Sequence, residues 1–260
     1  MSSIDEPGDS RPGTQAVDRA LAILGCFRND AGQLGISEIA RSVGLNVSTA
    51  HRLMRALVAA GYMQQDPVTE RYHLGIEVAV LGQRALEQAG YHLAKPILTR
   101  LAAETGESAS LGVRRNSEVV VIERAASAQP LRFDHASGAE IDLHTSGMGK
   151  VLLAFSGYSP QVAVGQLRSL PRYTDHTICD RDELVQVLLA ARINGYATNL
   201  EERHLGACGV GAPVLGPSGV ATAAVGVQGP AVRMSAERLS ELAPLVRAAA
   251  DEIAALALRL

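Results

Sequence analysis

The chain has 260 residues, 47% of them hydrophobic, enough to bury a sizeable core in one large domain or two smaller ones. A formal net charge of -3 gives no global basic excess toward nucleic acid, and 3% aromatic content with no Trp argues against a base-stacking platform for single strands. Three widely spaced cysteines, Cys26, Cys179 and Cys208, exclude a disulfide framework and indicate a reducing, cytoplasmic compartment. No apolar run nears the ~18 residues that span a bilayer, so no membrane partner is expected.

Residues 1–13 are polar, rich in Ser, Pro, Gly and acid, and read as a disordered tail without the apolar core of a signal peptide. Val17, Ala20, Leu21, Leu24 and Phe27 recur at helical spacing over 15–27, and 29–35 form a loop. Ser37 is placed to cap a short helix ending at Gly44. A second helix runs over 46–60, with Val47, Ala50, Leu53, Met54 and Leu57 on its inner side and Gly61 as its stop. Residues 62–75 carry two extended runs around Asp66-Pro67 and read as a hairpin.

Helical spacing returns over 76–89, and Gly90 interrupts it; the domain boundary is placed on this linker helix. The expected organisation is therefore a tail (1–13), a helix-helix-hairpin domain (14–75), a linker (76–90) and a larger domain (91–260). In the last, a helix over 92–104 precedes strands at 109–115, 118–125 and 131–133. A loop feeds a helix at 146–155, and further helices are expected at 160–169 and 181–193. Strands at 195–199, 210–216 and 220–228, the last two a hairpin through Pro217-Ser218-Gly219, precede a long amphipathic helix over 235–258.

The segment 36–61 has helix-turn-helix spacing: small Ala40, Gly44 at the turn, and Leu45 and Leu53 to fill the seam. Asn46 caps the second helix, and Ser48, Thr49, His51, Arg52 and Arg55 offer donors to phosphates and base edges of double-stranded DNA. No acid lies between Asn46 and Gly61, although over 14–75 six arginines face five acids for a net of only +1. Arg71 lies where a wing meets DNA, and Arg19 is a further candidate contact on the first helix. An ordinary helical hairpin with exposed arginines has the same pattern, as does a winged helix that binds protein; the hairpin that follows favours the winged helix.

Other chemistry is weaker. His204 and Cys208 lie four apart and His176 and Cys179 three apart, spacings that make a thiolate–imidazole pair or metal ligands on a helix; 204–208 contains glycine between strands, so helical proximity does not apply. No nucleophile–base–orienter set is visible, and neither enzyme activity nor a cofactor or metal is expected. Lys150 is a conceivable Schiff-base lysine, but a helix-start lysine in solvent or bridging to an acid is the expectation. Ser146, Gly147, Met148 and Gly149 precede a helix, where backbone N–H groups can hold a carboxylate; the same glycines also suit a tight loop.

QAVDRALAIL (15–24), ISEIARSVGL (36–45), STAHRLMRALVAAGY (48–62) and RYHLG (71–75) resemble the N-terminal domain of IclR-family bacterial transcription regulators. LHTSGMGKVLLAF (143–155), GYATNLEE (195–202) and GAPVLGPSGVATAAVGVQGP (211–230) resemble the family's C-terminal half in the same order. The resemblance implies an α+β chain: a winged helix-turn-helix, a linker helix, and a GAF-like effector-binding domain with an antiparallel sheet flanked by helices. It implies a homodimer or dimer of dimers on two-fold operator DNA, repression more than activation, and a small organic effector, a carboxylate or aromatic acid, linked to a catabolic operon. Carried over, Ser146, Gly147 and Met148 match the effector loop and Asn199 a position commonly Asp or Asn. The family often has Cys four positions before Pro213, where Gly209 stands with Cys208 one residue earlier, and Ser-x-Ser where Gly226 and Gln228 stand. Loss of two hydroxyls predicts a wider pocket and a bulkier or more apolar ligand. The linker stripe Ile76, Val80, Leu81 and Leu86 is expected to pack across a dimer and transmit the effector's signal.

Overall fold

The computed structural model describes residues 14–28 and 32–256. The expected tail (1–13), the start of the loop after the first helix, and the last residues of the C-terminal helix lie outside them. The chain divides into two compact units between Ala85 and Leu86.

In the first unit, α1 (Gln15–Gly25), α2 (Ile36–Ser42) and α3 (Val47–Ala59) precede an antiparallel hairpin, β1 (Met63–Gln65) and β2 (Tyr72–Leu74). Each element supplies one buried side chain to the core: Ile23, Ile39, Met54, Met63 and Tyr72. Ala40 and Ala50 are also buried and let α2 and α3 approach. The turn between these helices needs the left-handed backbone of Gly44 (φ 64), and Leu45 N–H donates back to Ala40 O at 2.8 Å. Two expectations change. The cap of α2 is Gly35, not Ser37; Glu38 reaches back to accept the Gly35 N–H at 2.7 Å, so the helix starts two residues earlier. Val47, placed on the inner side by its spacing, is 49% exposed because it begins α3 before the helix has turned onto the core.

The helix α4 (Ile76–Ala89) buries none of its residues; Ile76, Val80, Leu81 and Leu86 are all exposed.

In the second unit, α5 (Lys95–Thr105) follows a single 3-10 turn, with Pro96 in its first turn. A six-stranded antiparallel sheet has the order β5-β4-β3-β8-β7-β6, formed by β3 (Ser108–Arg115), β4 (Glu118–Ala125), β5 (Glu140–Asp142), β6 (Ala197–Leu200), β7 (Ala207–Leu215) and β8 (Ala221–Pro230). The third expected strand, 131–133, is irregular backbone, and Leu131 is exposed; the next strand after β4 is β5. Along β7, Cys208, Val210, Ala212 and Val214 join Ala223, Val225 and Val227 of β8 in a core closed by α5 and α9 (Ala236–Ala255). The other face is covered by α6 (Gly147–Ala154), α7 (Pro160–Gly165) and α8 (Arg181–Asn194), which form a second core with Val119, Val121, Ile141 and Ala224. Every residue of α6 is buried, the condition for a helix that is apolar nearly all round.

Candidate functional site

In the first unit, Asn46 sits just before α3 with extended backbone (ψ 151) and accepts from Thr49 N–H and Ser48 Oγ, each at 2.8 Å. This cap fixes where the helix starts and which side chains share its outer face. Ser48, His51, Arg52, Arg55 and Ala56 line one shallow exposed depression, with Thr49 half-buried beside them. Neither Arg52 nor Arg55 has an ion-pair or hydrogen-bond partner among the described residues, so both guanidinium groups are available. Arg19 is half-buried on α1, outside this depression.

Arg71, expected where a wing meets DNA, is paired within its own unit. Its Nη2 donates to Gln33 O at 2.9 Å and to Glu38 at 2.8 Å, so it ties the wing to the start of α2. Glu38 is held below the usual carboxylate range, first by the Gly35 N–H and then by Arg71. The wing turn is set by Asp66, whose carboxylate accepts from Val68 and Thr69 N–H at 2.8 and 2.9 Å, which lowers its pKa.

In the second unit, pairing across the sheet puts Asn199, Gly209 and Gln228 in one row and Gly211, Gly226 and Ser110 in the next. Opposed residues, and residues two apart, share a face. That face is bare of side chains at the three glycines. There α6 presses onto the sheet: a Cβ at Gly211 would lie 2.4 Å from Met148 N, and one at Gly147 would lie 2.6 Å from Ala197 O. A cavity results, lined by Ser110, His135, Ile141, Ser146, Gly147, Met148, Asn199, Gly209, Gly226 and Gln228.

Seven of the eight carried-over effector residues therefore converge. The eighth, Cys208, does not: it points through the opposite face into the core under α9, because one residue along a strand reverses the side. Burial also pushes its thiol pKa up. Sequence reasoning missed Ser110, His135 and Ile141, which come from β3, from the segment between β4 and β5, and from β5.

The cavity is small. It has room for about one water molecule. The Met148 side chain lies over Gly226, where a Cβ would meet its Cγ at 2.7 Å, and Gln228 accepts from His135 Nε2 at 2.5 Å. Those side chains occupy the space beside Gly226 and Gln228. Polar capacity remains. Ser110 is 5% exposed as a residue, and its hydroxyl has no hydrogen-bond partner among the described residues. The Asn199 carbonyl accepts from Glu202 N–H at 2.9 Å, which leaves its NH₂ to the cavity, and Ser146 Oγ accepts from Gly149 N–H at 3.0 Å, which leaves its O–H.

One turn along α6, Lys150 is 1% exposed, not in solvent; its Nζ donates to Glu202 at 2.5 Å and to Thr198 O at 2.8 Å. Burial drives both partners toward neutrality, Lys150 downward and Glu202 upward, against their mutual attraction. The Cys/His pairings are not assembled as reactive sites: Cys208 is buried, while His204 and His176 are exposed. Among the described residues no group of three His, Cys, Asp or Glu side chains is placed to hold a metal ion, and no helix is long and apolar enough to cross a membrane.

A family profile described as IclR helix-turn-helix domain matches residues 16–67, and one described as Bacterial transcriptional regulator IclR C-terminal matches residues 85–255. The HTH-type transcriptional regulator BhcR of Paracoccus denitrificans is 35% identical, the match covering 93% of this chain and 86% of the relative. The HTH-type transcriptional repressor AllR of Salmonella typhimurium is 30% identical, over 95% and 93%. Among solved structures, an IclR transcriptional regulator from Alicyclobacillus acidocaldarius superposes with a TM-score of 0.84 at 25% identity, covering 95% of this chain and 99% of that one. The chain belongs to the IclR family of bacterial transcription regulators, which bind DNA through a helix-turn-helix.

Proposed function

We propose that the chain is a cytoplasmic repressor that acts as a homodimer or dimer of dimers, reads operator DNA with α3, and is controlled by a small organic carboxylate in the cavity beneath α6. The observation that carries the DNA reading is the pair of unpartnered arginines, Arg52 and Arg55, on the outer face of a capped α3. Asn46, Ser48, Thr49 and His51 complete the groove-facing set, and Arg19 adds a phosphate contact from α1. Residues 14–75 form the DNA-binding part, 76–90 the linker and 91–260 the effector-binding part. The exposed apolar stripe of α4 supports dimerisation through the linker.

The effector reading rests on the convergence of Ser110, Ser146 and Asn199 on one enclosed space at the start of α6, where N–H groups lack carbonyls one turn back. The Ser110 and Ser146 hydroxyls and the Asn199 NH₂ are donors that a ligand carboxylate can accept from. Regulation then follows from linkage: the effector shifts DNA affinity only by its differential affinity for the two states. A catabolic operon beside the gene is the expected target. The buried Cys208 and exposed His204 favour a regulator over an enzyme. The test is fluorescence anisotropy on duplexes from the region upstream of the gene, with and without a panel of small acids. A change in operator affinity that Ser146→Ala and Asn199→Ala abolish is expected; an acid-insensitive affinity would refute effector control.

A further inference from the structure

The cavity floor cannot yield. It is backbone against backbone, with Gly147 and Gly211 already at the closest approach that glycine permits. Ligand entry must therefore move the roof, which has two parts. One is the flexible Met148 side chain. The other is His135, carried by the strandless stretch between β4 and β5, whose Nε2–H reaches across to the Gln228 carbonyl on β8. That stretch is anchored on either side of its tip, by Ser127 N–H to Ser108 Oγ at 3.1 Å and by Gly138 N–H to Val121 O at 2.7 Å. Arg233 also holds Leu131 O, at 2.9 Å. His135 is thus presented to the cavity by a tethered segment, and its own side chain is held there by the hydrogen bond to Gln228.

Resting on the effector reading above, we propose that His135 is a ligand-recognising residue: it leaves Gln228 and clamps a small carboxylate, as an imidazolium, against the Ser146–Asn199 side of the cavity. The charges around it are mixed. Arg203, paired with Asp142, and His204 approach from the β6–β7 turn; Asp134, on its own segment, pairs with Arg124 of β4 through Oδ2 and keeps a buried Oδ1 without a partner among the described residues. Gln228 faces it from β8 and is uncharged. Without ligand, burial holds the imidazole below its ordinary pKa. A carboxylate beside Nε2–H favours the cation, so a proton is taken up at Nδ1 as the acid binds. Gln228 in place of a serine is then the resting partner that keeps a neutral His135 satisfied.

Isothermal titration calorimetry on the full chain tests this with pyruvate and 4-hydroxybenzoate and, as uncharged controls, pyruvamide and 4-hydroxybenzamide. Runs near neutral pH in two buffers of different ionisation enthalpy report proton uptake. The expected result is that an acid binds and its amide does not. Binding strengthens as pH falls and takes up protons, and His135→Ala weakens it about ten- to a hundredfold and abolishes the uptake, the scale of a lost hydrogen bond to a charge. His135→Gln, which keeps a donor but cannot ionise, retains part of the affinity and none of the uptake. Equal Tm values for the variants and wild type show that folding is intact. If Ser146→Ala and Asn199→Ala abolish binding while His135→Ala stays within twofold, or if amide and acid bind alike, the His135 proposal falls and the cavity reading stands. If no acid binds, or all three alanine variants bind as wild type does, the cavity reading falls with it.

Discussion

The Arg71 guanidinium lies 2.8 Å from the Glu38 carboxylate, and that carboxylate also accepts the first free N–H of α2, from Gly35, at 2.7 Å. One acid thus caps a helix and anchors the wing. A cation already engaged by a carboxylate has less to give to phosphate than a free one.

Arg71→Ala should therefore alter DNA binding in a different way from changes on α3. The salt slope of operator affinity should stay close to that of wild type, with the effect confined to a modest, salt-independent weakening as the wing loosens. A slope reduced by about 0.9, the value for one lost phosphate contact, would restore Arg71 to the interface.

Lys150 and Glu202 predict an asymmetric stability effect. Lys150→Met leaves a buried carboxylate unpaired, and Glu202 already has one buried oxygen, Oε2, without a partner among the described residues. The single change should cost about 3–5 kcal/mol in urea unfolding, and Lys150→Met with Glu202→Leu should recover most of it. A double variant as unstable as the single would show that packing, not charge, dominates.

His144 predicts acid sensitivity. It is 2% exposed, burial pushes its pKa down, and its Nε2–H donates to Pro171 O at 3.1 Å. The unfolded chain then binds this proton more readily than the folded one, so its stabilisation is full above the unfolded value of about 6.5 and is lost as pH falls through the folded value. His135 acts in the same sense; Glu202, with its pKa raised by burial, acts in the opposite one. Urea midpoints at pH 7.5 and 5.5 should differ less for His144→Gln than for wild type. An unchanged difference would remove His144 from the account.

Gly211→Ala tests the packing of α6 on the sheet. The new Cβ would fall 2.4 Å from Met148 N and 2.5 Å from Gly147 C, both backbone atoms. Overpacking of this kind costs about 1–3 kcal/mol, visible as a lower Tm. A Tm equal to that of wild type would mean that the helix can lift from the strand.

What could be read in advance follows the range of the interaction. The Asn46 cap, Gly44 turn and exposed arginines of α3 are local, and spacing alone locates them. The converging effector residues were legible through the family motif, but strand register was not: a one-residue choice separates Gly209 in the cavity from Cys208 in the opposite core. Glu38 with Arg71, His135 with Gln228, and Lys150 with Glu202 join residues 33, 93 and 52 positions apart, and no periodicity announces such pairs.

The most direct test of DNA recognition by α3 is the salt dependence of operator binding for wild type and Arg52→Ala/Arg55→Ala. If both arginines bind phosphate, affinity falls for every duplex and the slope of log K against log [salt] becomes shallower by about 1.8; if one reads a guanine edge, the slope changes by about 0.9 and specificity relaxes at one position. Unchanged affinity and slope in a folded double variant would contradict the assignment of α3 to DNA.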